Sequence, residues 1–346
     1  LIDDKAAAVP GTAPEPKLRN FAGTELISCE ECHRSNPPTR ANCLYCGAKL
    51  PIGEYVGPPQ TAANPIVESN QMSTAGPGLL LVLTPGQDKA PAELSLEEIA
   101  RVLQLPAKEV ESVIRLKCPV PVLRTAARED GMKLADKLRG LGIEVAILSE
   151  DLLELEVANQ RPRSLKLSDD GLTSTLTNGE GTAIMWNELS LIVSGRLLVS
   201  RKEIEERKGR GRSKPVDNRE LFSDEPVIDL YRRSEAVGWR ISANSFDFSC
   251  LGENKAMTAF QNLTSLVDLI KTRALGIEFD DSYHELRTVL NNVWPIEPQT
   301  KAGEWRRSGV GKVNVSTITV IDNESQFNAY SRLRQRISLS QLKGEG

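Results

Sequence analysis

Four of the chain's six cysteines fall in one window, CEECHRSNPPTRANCLYC at 29–46, as two Cys-x-x-Cys pairs with ten residues between them. No other feature constrains the fold as tightly. A Cys-x-x-Cys turn brings two sulfurs to one side of the backbone, and two such turns supply the four thiolates of a tetrahedral site, each about 2.3 Å from a central ion. Cys29, Cys32, Cys43 and Cys46 are assigned on this ground as ligands of a structural zinc, with Gly47 easing the turn after the last of them. So short a segment cannot bury enough apolar surface to fold alone. Zinc supplies roughly 10–16 kcal/mol in isolated finger peptides, enough to order it. Two disulfides, free thiols or an iron centre are the competing states. Cys118 and Cys250 lie far from the cluster, so nothing resembles a secreted disulfide framework and the pattern fits a reducing, cytoplasmic setting. The long spacing and the lack of aromatic shielding favour zinc over iron. Four sulfurs leave the ion no open position, so it is expected to be structural and not catalytic.

The full pattern is Cys-x2-Cys-x3-Asn-x6-Cys-x2-Cys, with Asn36 at the central position. It resembles the small zinc fingers first described in the Ran-binding nucleoporin, and its Cys-Gly-Ala ending at 46–48 also resembles bacterial zinc ribbons. The first resemblance implies ubiquitin or single-stranded RNA as ligand and makes Arg34, Asn36 and Arg40 contact residues. Ile27 stands where that family has tryptophan, and Tyr45 is the one aromatic available to stack on a base.

The remaining chain reads as multi-domain α+β. Its 346 residues, 40% hydrophobic and 26% charged, suit two or three globular domains, and a net charge of −4 sets up no general attraction to nucleic acid or membrane. No apolar run is long enough for a spanning helix, and the opening LIDDKAAAVPGTAPEPK lacks the basic start and apolar centre of a signal peptide. Leu1 in place of an initiator methionine reads as a fragment or a processed chain. Residues 1–23, rich in Ala, Pro and acidic residues, are expected to be disordered, the finger to occupy 24–50, and 51–78, with five prolines and four glycines, to be a linker.

From 79 to 157 the order β-α-α-β-α-β is expected. LLLVL (79–83) is a buried strand, Ser95 with Glu98 a capping box, and Gly142 the left-handed end of the helix that begins near 128. That order resembles the C-terminal domain of the bacterial ribosomal stalk protein and the adaptor domains of the Clp protease, which implies a docking module. From 160 to 275 the pattern turns to strands at 164–179, 184–200, 226–235 and 239–252, closed by a helix at 255–274. An antiparallel β domain closed by one helix is similar to pleckstrin-homology-like domains. An α/β extension at 276–346 holds a helix, a strand and a last helix.

Candidate chemistry outside the finger is thin. The basic stretch 201–214, with Arg207, Lys208, Arg210 and Arg212, could contact phosphates, but without aromatics it reads as a solvated hairpin loop. His284 reads as a surface histidine at a helix start, Cys250 as an inert core thiol, and Cys118 lacks an activator nearby. The four tryptophans read as core or interface anchors. The expected function is a non-catalytic cytoplasmic adaptor for protein partners. The second reading is binding of RNA or another nucleic acid through the finger and the 201–214 loop. Nothing in the sequence sets the oligomeric state.

Overall fold

A computed structural model describes residues 27–28, 35–36, 78–84, 95–116, 118–176, 179–209, 212–233, 235, 237–309 and 312–344. At 27–28, 35–36, 207–209, 212–218, 302–309, 312–314 and 341–344 the description is of the backbone. The chain divides into two compact units, Leu1–Ser73 and Thr74–Gly346. In the first, β1 (Ile27–Ser28) pairs antiparallel with β2 (Ser35–Asn36). The expected disordered stretch, and the expected linker up to Pro77, lie outside the described residues; Gly78 is buried, and its carbonyl accepts from the Glu150 N–H.

The second unit starts with β3 (Leu79–Thr84), α1 (Leu96–Leu103), α2 (Ala107–Arg115), β4 (Val120–Thr125), α3 (Arg128–Gly140) and β5 (Glu144–Ser149). This is the element order the sequence implied, and the strands form an antiparallel sheet in the order β4-β3-β5. The apolar run of β3 is explained by burial on both faces. Leu81 and Leu83 pack with Ile99, Val110 and Leu138 from the helices, while Leu80 and Val82 pack with Leu153, Val293 and Leu333 on the other side. Helix α3 ends as expected: Gly142 takes φ +85°, its N–H reaches the Arg139 carbonyl, and the Ile143 N–H reaches that of Leu138. Those two bonds are a Schellman closure, and only glycine takes its left-handed position cheaply. Ser95 does sit at the N-cap of α1, but its side chain makes no capping bond; its carbonyl accepts from Glu98 and Ile99 instead.

Next come β6 (Ser164–Leu167), β7 (Gly171–Thr175) and β8 (Ala183–Met185), a small antiparallel meander. A second sheet follows, built on two 21-residue strands, β9 (Leu189–Gly209) and β10 (Arg212–Arg232), with β11 (Trp239–Ser242) at its edge. The strand expected over 239–252 stops at Ser242. There the Asp247 carboxylate accepts from the Ser249 N–H and starts a 3-10 segment at Phe248–Asn254, so Phe246 and Phe248 meet edge to face instead of lining a strand. Helix α4 (Ala259–Arg273), with Thr258 accepting from the Gln261 N–H as its N-cap, lays Leu263, Leu266 and Ile270 against Ile192, Ile228 and Leu230.

The segment after 275 completes this sheet. It supplies β12 (Glu278–Asp280), α5 (Tyr283–Val293), β13 (Gln299–Gly309), β14 (Lys312–Asp322) and α6 (Glu324–Gly344). β12 runs parallel to β9 at 191–193, and β14 runs antiparallel to it at 199–208, giving the order β11-β10-β9-β14-β13. Helix α6 lies between the two sheets. Phe327 and Tyr330 pack with Leu191, Val193 and Tyr231, and Leu333 and Ile337 with Leu80 and Val82. The core is therefore continuous across the boundaries read near 158 and 275.

Gly195 in β9 is what lets α6 come so near. A Cβ there would stand 2.3 Å from the Phe327 ring. Gly195→Ala is expected to lower stability by about 1–3 kcal/mol through overpacking, read as a lower urea midpoint with an unchanged slope. An unshifted midpoint would show that the ring can withdraw freely.

Candidate functional site

The finger ligands Cys29, Cys32, Cys43 and Cys46 lie outside the described residues, as do Arg34 and Arg40. Asn36 lies in β2 opposite Ile27, and Ser28 lies opposite Ser35. Among the described residues, no cluster of three or more His, Cys, Asp or Glu is placed to hold a metal. No described helix is long and apolar enough to cross a membrane.

The basic stretch is not the expected loop. Arg207 and Lys208 belong to β9 and Arg212 to β10, and only Arg210 and Gly211 lie outside the description. Near the core the paired strands β9 and β10 are buried, but β9 is exposed at Arg201 and Lys202 and β10 from Arg219 to Ser223. Beyond Ser200 the two strands run on as an arm of about 30 Å, at roughly 3.4 Å per residue, flanked by β14 and β13. Phe222 and Ile321 flank Ser200 in one cross-strand row at its base; both are exposed, as is Leu221. Asn323 secures the base: its side-chain oxygen accepts from the Leu198 N–H at 2.7 Å and its amide donates to the Arg196 carbonyl at 2.9 Å, prolonging the β14 ladder by one side chain. The Arg196 guanidinium meets Asp224 across the root with two bonds of 2.8 and 2.7 Å.

Inside the unit, polar side chains gather around α6. Asp229 and Arg240 form a two-pronged ion pair at 2.8 and 2.7 Å, both buried. Ser331 of α6 donates to Asp229 at 2.6 Å and lies 2.8 Å from the Tyr231 hydroxyl, while Asn159 donates to that hydroxyl at 3.1 Å. On another face of the helix, Arg334 pairs with Asp280 and Glu278, and Tyr330 donates to Asp280 at 2.7 Å. Burial disfavours the Arg240 charge, but Asp229 more than offsets this and holds the group above the ordinary arginine range. Arg334 is raised in the same way by Asp280. These groups satisfy one another. Their arrangement can hold elements in register.

The remaining candidates take quieter places. His284 sits in the first turn of α5, its Nδ1 2.8 Å from the Asp281 carbonyl oxygen and its Nε2 3.7 Å from Glu285. Cys118 is half-buried with its Sγ 3.6 Å from the Ser282 hydroxyl; burial, then the Asp280 charge, pushes its pKa up, the wrong direction for a nucleophile. Cys250 is half-buried and raised by burial as well. Trp186 and Trp239 are core residues, and Trp294 donates from Nε1 to Glu150 at 2.9 Å. Two groups escaped the sequence reading: the buried polar set on α6 and the strand β13. A run of Arg and Ser in a terminal helix reads as a solvated face, and β13 lacks regular alternation.

No family model matches the chain, and neither a curated protein nor a solved structure does.

Tyr231, Tyr283 and Tyr330 are each pushed above the ordinary phenol range, first by burial. Tyr231 and Tyr330 are raised further by Asp229 and Asp280. The folded state thus keeps these protons at a pH where the unfolded chain, with phenols near 10, has released them. Their contribution is full below that pH and is lost as pH rises, by about 1.4 kcal/mol per pH unit for each tyrosine. Stability measured against urea should fall steeply from about pH 10, with the phenolate absorbance of these three appearing only as the protein unfolds. Full phenolate absorbance in the folded protein near that pH would contradict their burial.

Proposed function

We propose that the chain is a non-catalytic adaptor: a four-cysteine zinc finger at 24–50 recognises a protein partner, and the unit that follows offers docking surfaces. The observation that carries this reading is the pairing of Ile27–Ser28 with Ser35–Asn36. The first Cys-x-x-Cys falls in sequence between these two strands, and two such pairs would supply the four sulfurs of one ion. Cys29, Cys32, Cys43 and Cys46 would hold the zinc, which supplies folding energy and no open coordination position. A reducing, cytoplasmic compartment suits four thiolates. The β-α-α-β-α-β order of 79–149 supports a docking role by its resemblance to stalk-protein and Clp-adaptor domains. The antiparallel sheet with α4 on one face supports the pleckstrin-homology-like comparison, although β12, β13 and β14 enlarge that sheet from outside 160–275. The proline- and glycine-rich 51–78 would let finger and scaffold engage one partner together, gaining avidity through the tether.

Purified chain should contain one zinc per molecule by elemental analysis, and acidification should release it as the thiolates protonate. Cys43→Ser should cut zinc affinity by at least a hundredfold while the urea midpoint of 74–346 stays unchanged. A partner identified with intact chain should bind the purified Cys29→Ser/Cys32→Ser variant at least tenfold more weakly. Metal-free protein with these sulfurs in disulfides would overturn the zinc assignment. Equal binding by that variant would overturn the adaptor role of the finger.

A further inference from the structure

A sheet edge presents backbone N–H and C=O groups that a further strand can pair with, so proteins cover or blunt their edges. The chain does so at several of its own. Gln160 lies against β11, donating to the Gly238 carbonyl at 3.0 Å and accepting from the Arg240 N–H at 2.7 Å. On β5, the Arg139 guanidinium donates to the Val145 carbonyl at 2.9 Å. On β13, Gln299, Thr300 and Lys301 are exposed, and none of them is apolar. The edge of β10 is different. β11 pairs with it at Val227–Leu230, and among the described residues no strand lies on that side of Arg219–Glu225. There Leu221 and Phe222 stand next to each other, 65% and 58% exposed.

Two independent observations fix which backbone groups point outward. The Pro226 carbonyl accepts from the Ala243 N–H at 2.9 Å, so residue 226 faces the β11 side of its strand. On β9, the Leu198 N–H and the Arg196 carbonyl both face Asn323, which follows β14, so the alternate residues Val199 and Arg201 face β10. The residues opposite those two, Ser223 and Leu221, return their N–H and C=O to β9. By either route, Glu220, Phe222 and Asp224 turn theirs to the open edge. The side chains divide accordingly, Leu221 with Arg219 and Ser223 on one face, Phe222 with Glu220 and Asp224 on the other. Asp224 is held by Arg196, and Glu220 is exposed. A lone exposed leucine needs no explanation. Two bulky apolar side chains on opposite faces of one open edge are what an added strand covers together.

We propose that the β10 edge at Arg219–Glu225 receives an extended segment of a protein partner by strand addition. The partner sets two consecutive bulky apolar residues opposite Phe222 and Leu221, and a basic residue opposite Glu220. Main-chain bonds to Glu220, Phe222 and Asp224 supply affinity, and the side chains on either face supply selectivity. The basic position follows from charge: on the Phe222 face this stretch of β10 carries Glu220 and Asp224 and no cation, and opposite charges across a ladder attract. A second copy of the chain fits poorly. Paired antiparallel about Leu221, it would bring its own residues 212–215 beside Val227–Leu230, where β11 already sits. The inference rests on the adaptor reading in that its ligand is a protein, and it asks nothing of the zinc.

Fluorescence anisotropy of the full chain with a labelled Thr-Thr-Ile-Val-Lys-Thr-Thr peptide tests it. Run antiparallel, the peptide sets Ile opposite Phe222, Val opposite Leu221 and Lys opposite Glu220. Binding should saturate, and Leu221→Thr/Phe222→Thr, which keeps strand propensity, should lose at least fivefold in affinity. Glu220→Lys should weaken this peptide and strengthen the version with Glu in place of Lys. Methylating the Ile amide nitrogen, which faces the edge, should abolish binding, whereas methylating that of Val, which faces away, should change it by less than about twofold. Urea midpoints confirm that each variant is folded. No binding at millimolar peptide, or equal losses from the two methylations, would overturn strand addition. A dimer in sedimentation that Leu221→Thr/Phe222→Thr returns to monomer would replace the partner with a second copy. Cys29→Ser/Cys32→Ser should bind the peptide as the wild type does. If the peptide fails while that variant still loses a partner of the intact chain, the edge alone is struck and the adaptor reading stands.

Discussion

Helix α6 has water on neither of its broad faces, and that is the constraint around which the second unit is built. Phe327 and Tyr330 belong to the core of the large sheet and Leu333 and Ile337 to that of the small one, so one helix serves as the interior of both. A helix so placed must also bury whatever polar residues it carries. Asn323, Gln326, Ser331, Arg332, Arg334 and Gln335 are all buried. Each buried charge needs a partner, since desolvation costs several kcal/mol per ion. Asp229 with Arg240 and Asp280 with Arg334 are the answer. The first pair receives Ser331 from α6, and the second receives Tyr330. Ion pairs of this kind add little net stability compared with a well-packed apolar equivalent, but breaking one strands a charge at about 3–5 kcal/mol. Their consequence is directional: the helix can rotate or slide only by abandoning both carboxylates.

Strand β9 turns that interior into something that reaches outward. Its first half is core, with Leu191, Ile192 and Val193 wholly buried, and its second half forms the ladder of the arm. The exchange occurs where parallel β12 gives way to antiparallel β14 on the same edge of β9, and Asn323 fills the gap with side-chain bonds in place of peptide ones. Asn323 also donates to the Tyr283 hydroxyl, which in turn donates to Gln326. The root of the arm is thus tied to α5 and α6 through the same polar interior. Arg196 and Asp224 brace its other side.

What could be read from the sequence followed from how strongly burial imprints on residue type. The run LLLVL announced a strand covered on both faces, Gly142 announced a helix end, and the Leu263, Val267 and Ile270 stripe announced α4, because each position has one physically cheap solution. The arm left no such imprint. Residues 201–209, RKEIEERKG, have strand geometry only because β10 and β14 supply their hydrogen bonds from either side. Likewise Gln299–Gly309 becomes a strand through pairing with β14, where a bulge of one extra residue after Ala302 interrupts whatever alternation it had. Helix α6 misleads in the opposite sense, since SRLRQRI looks solvated and is interior. For β9 a deciding partner is the distant β14, and for α6 it is Tyr231, 100 residues from Ser331, whereas β13 takes its order from the hairpin with β14. The candidate finger was legible for a different reason: thiol spacing encodes coordination geometry locally.

The arm also separates two kinds of constraint that are usually entangled. In the core, residue choice answers to packing, as Gly195 beneath Phe327 shows. Near the base of the arm, cross-strand complementarity still governs, with Glu220 opposite Lys202 and Thr300 bonded to Thr319 at 3.2 Å. Toward the end the ladder supplies order, and complementarity is abandoned: Lys214 lies opposite Arg207, and the adjoining hairpin adds Arg306 and Arg307. Stability alone would select alternating signs there, since opposite charges across a ladder contribute about 0.2–1 kcal/mol and like charges subtract. A surface chosen only for solubility would intersperse both signs. The registers set Arg207, Lys214 and Arg306 in one cross-strand row and Lys208 and Arg307 in the next, so these cations are divided between the two faces of the sheet.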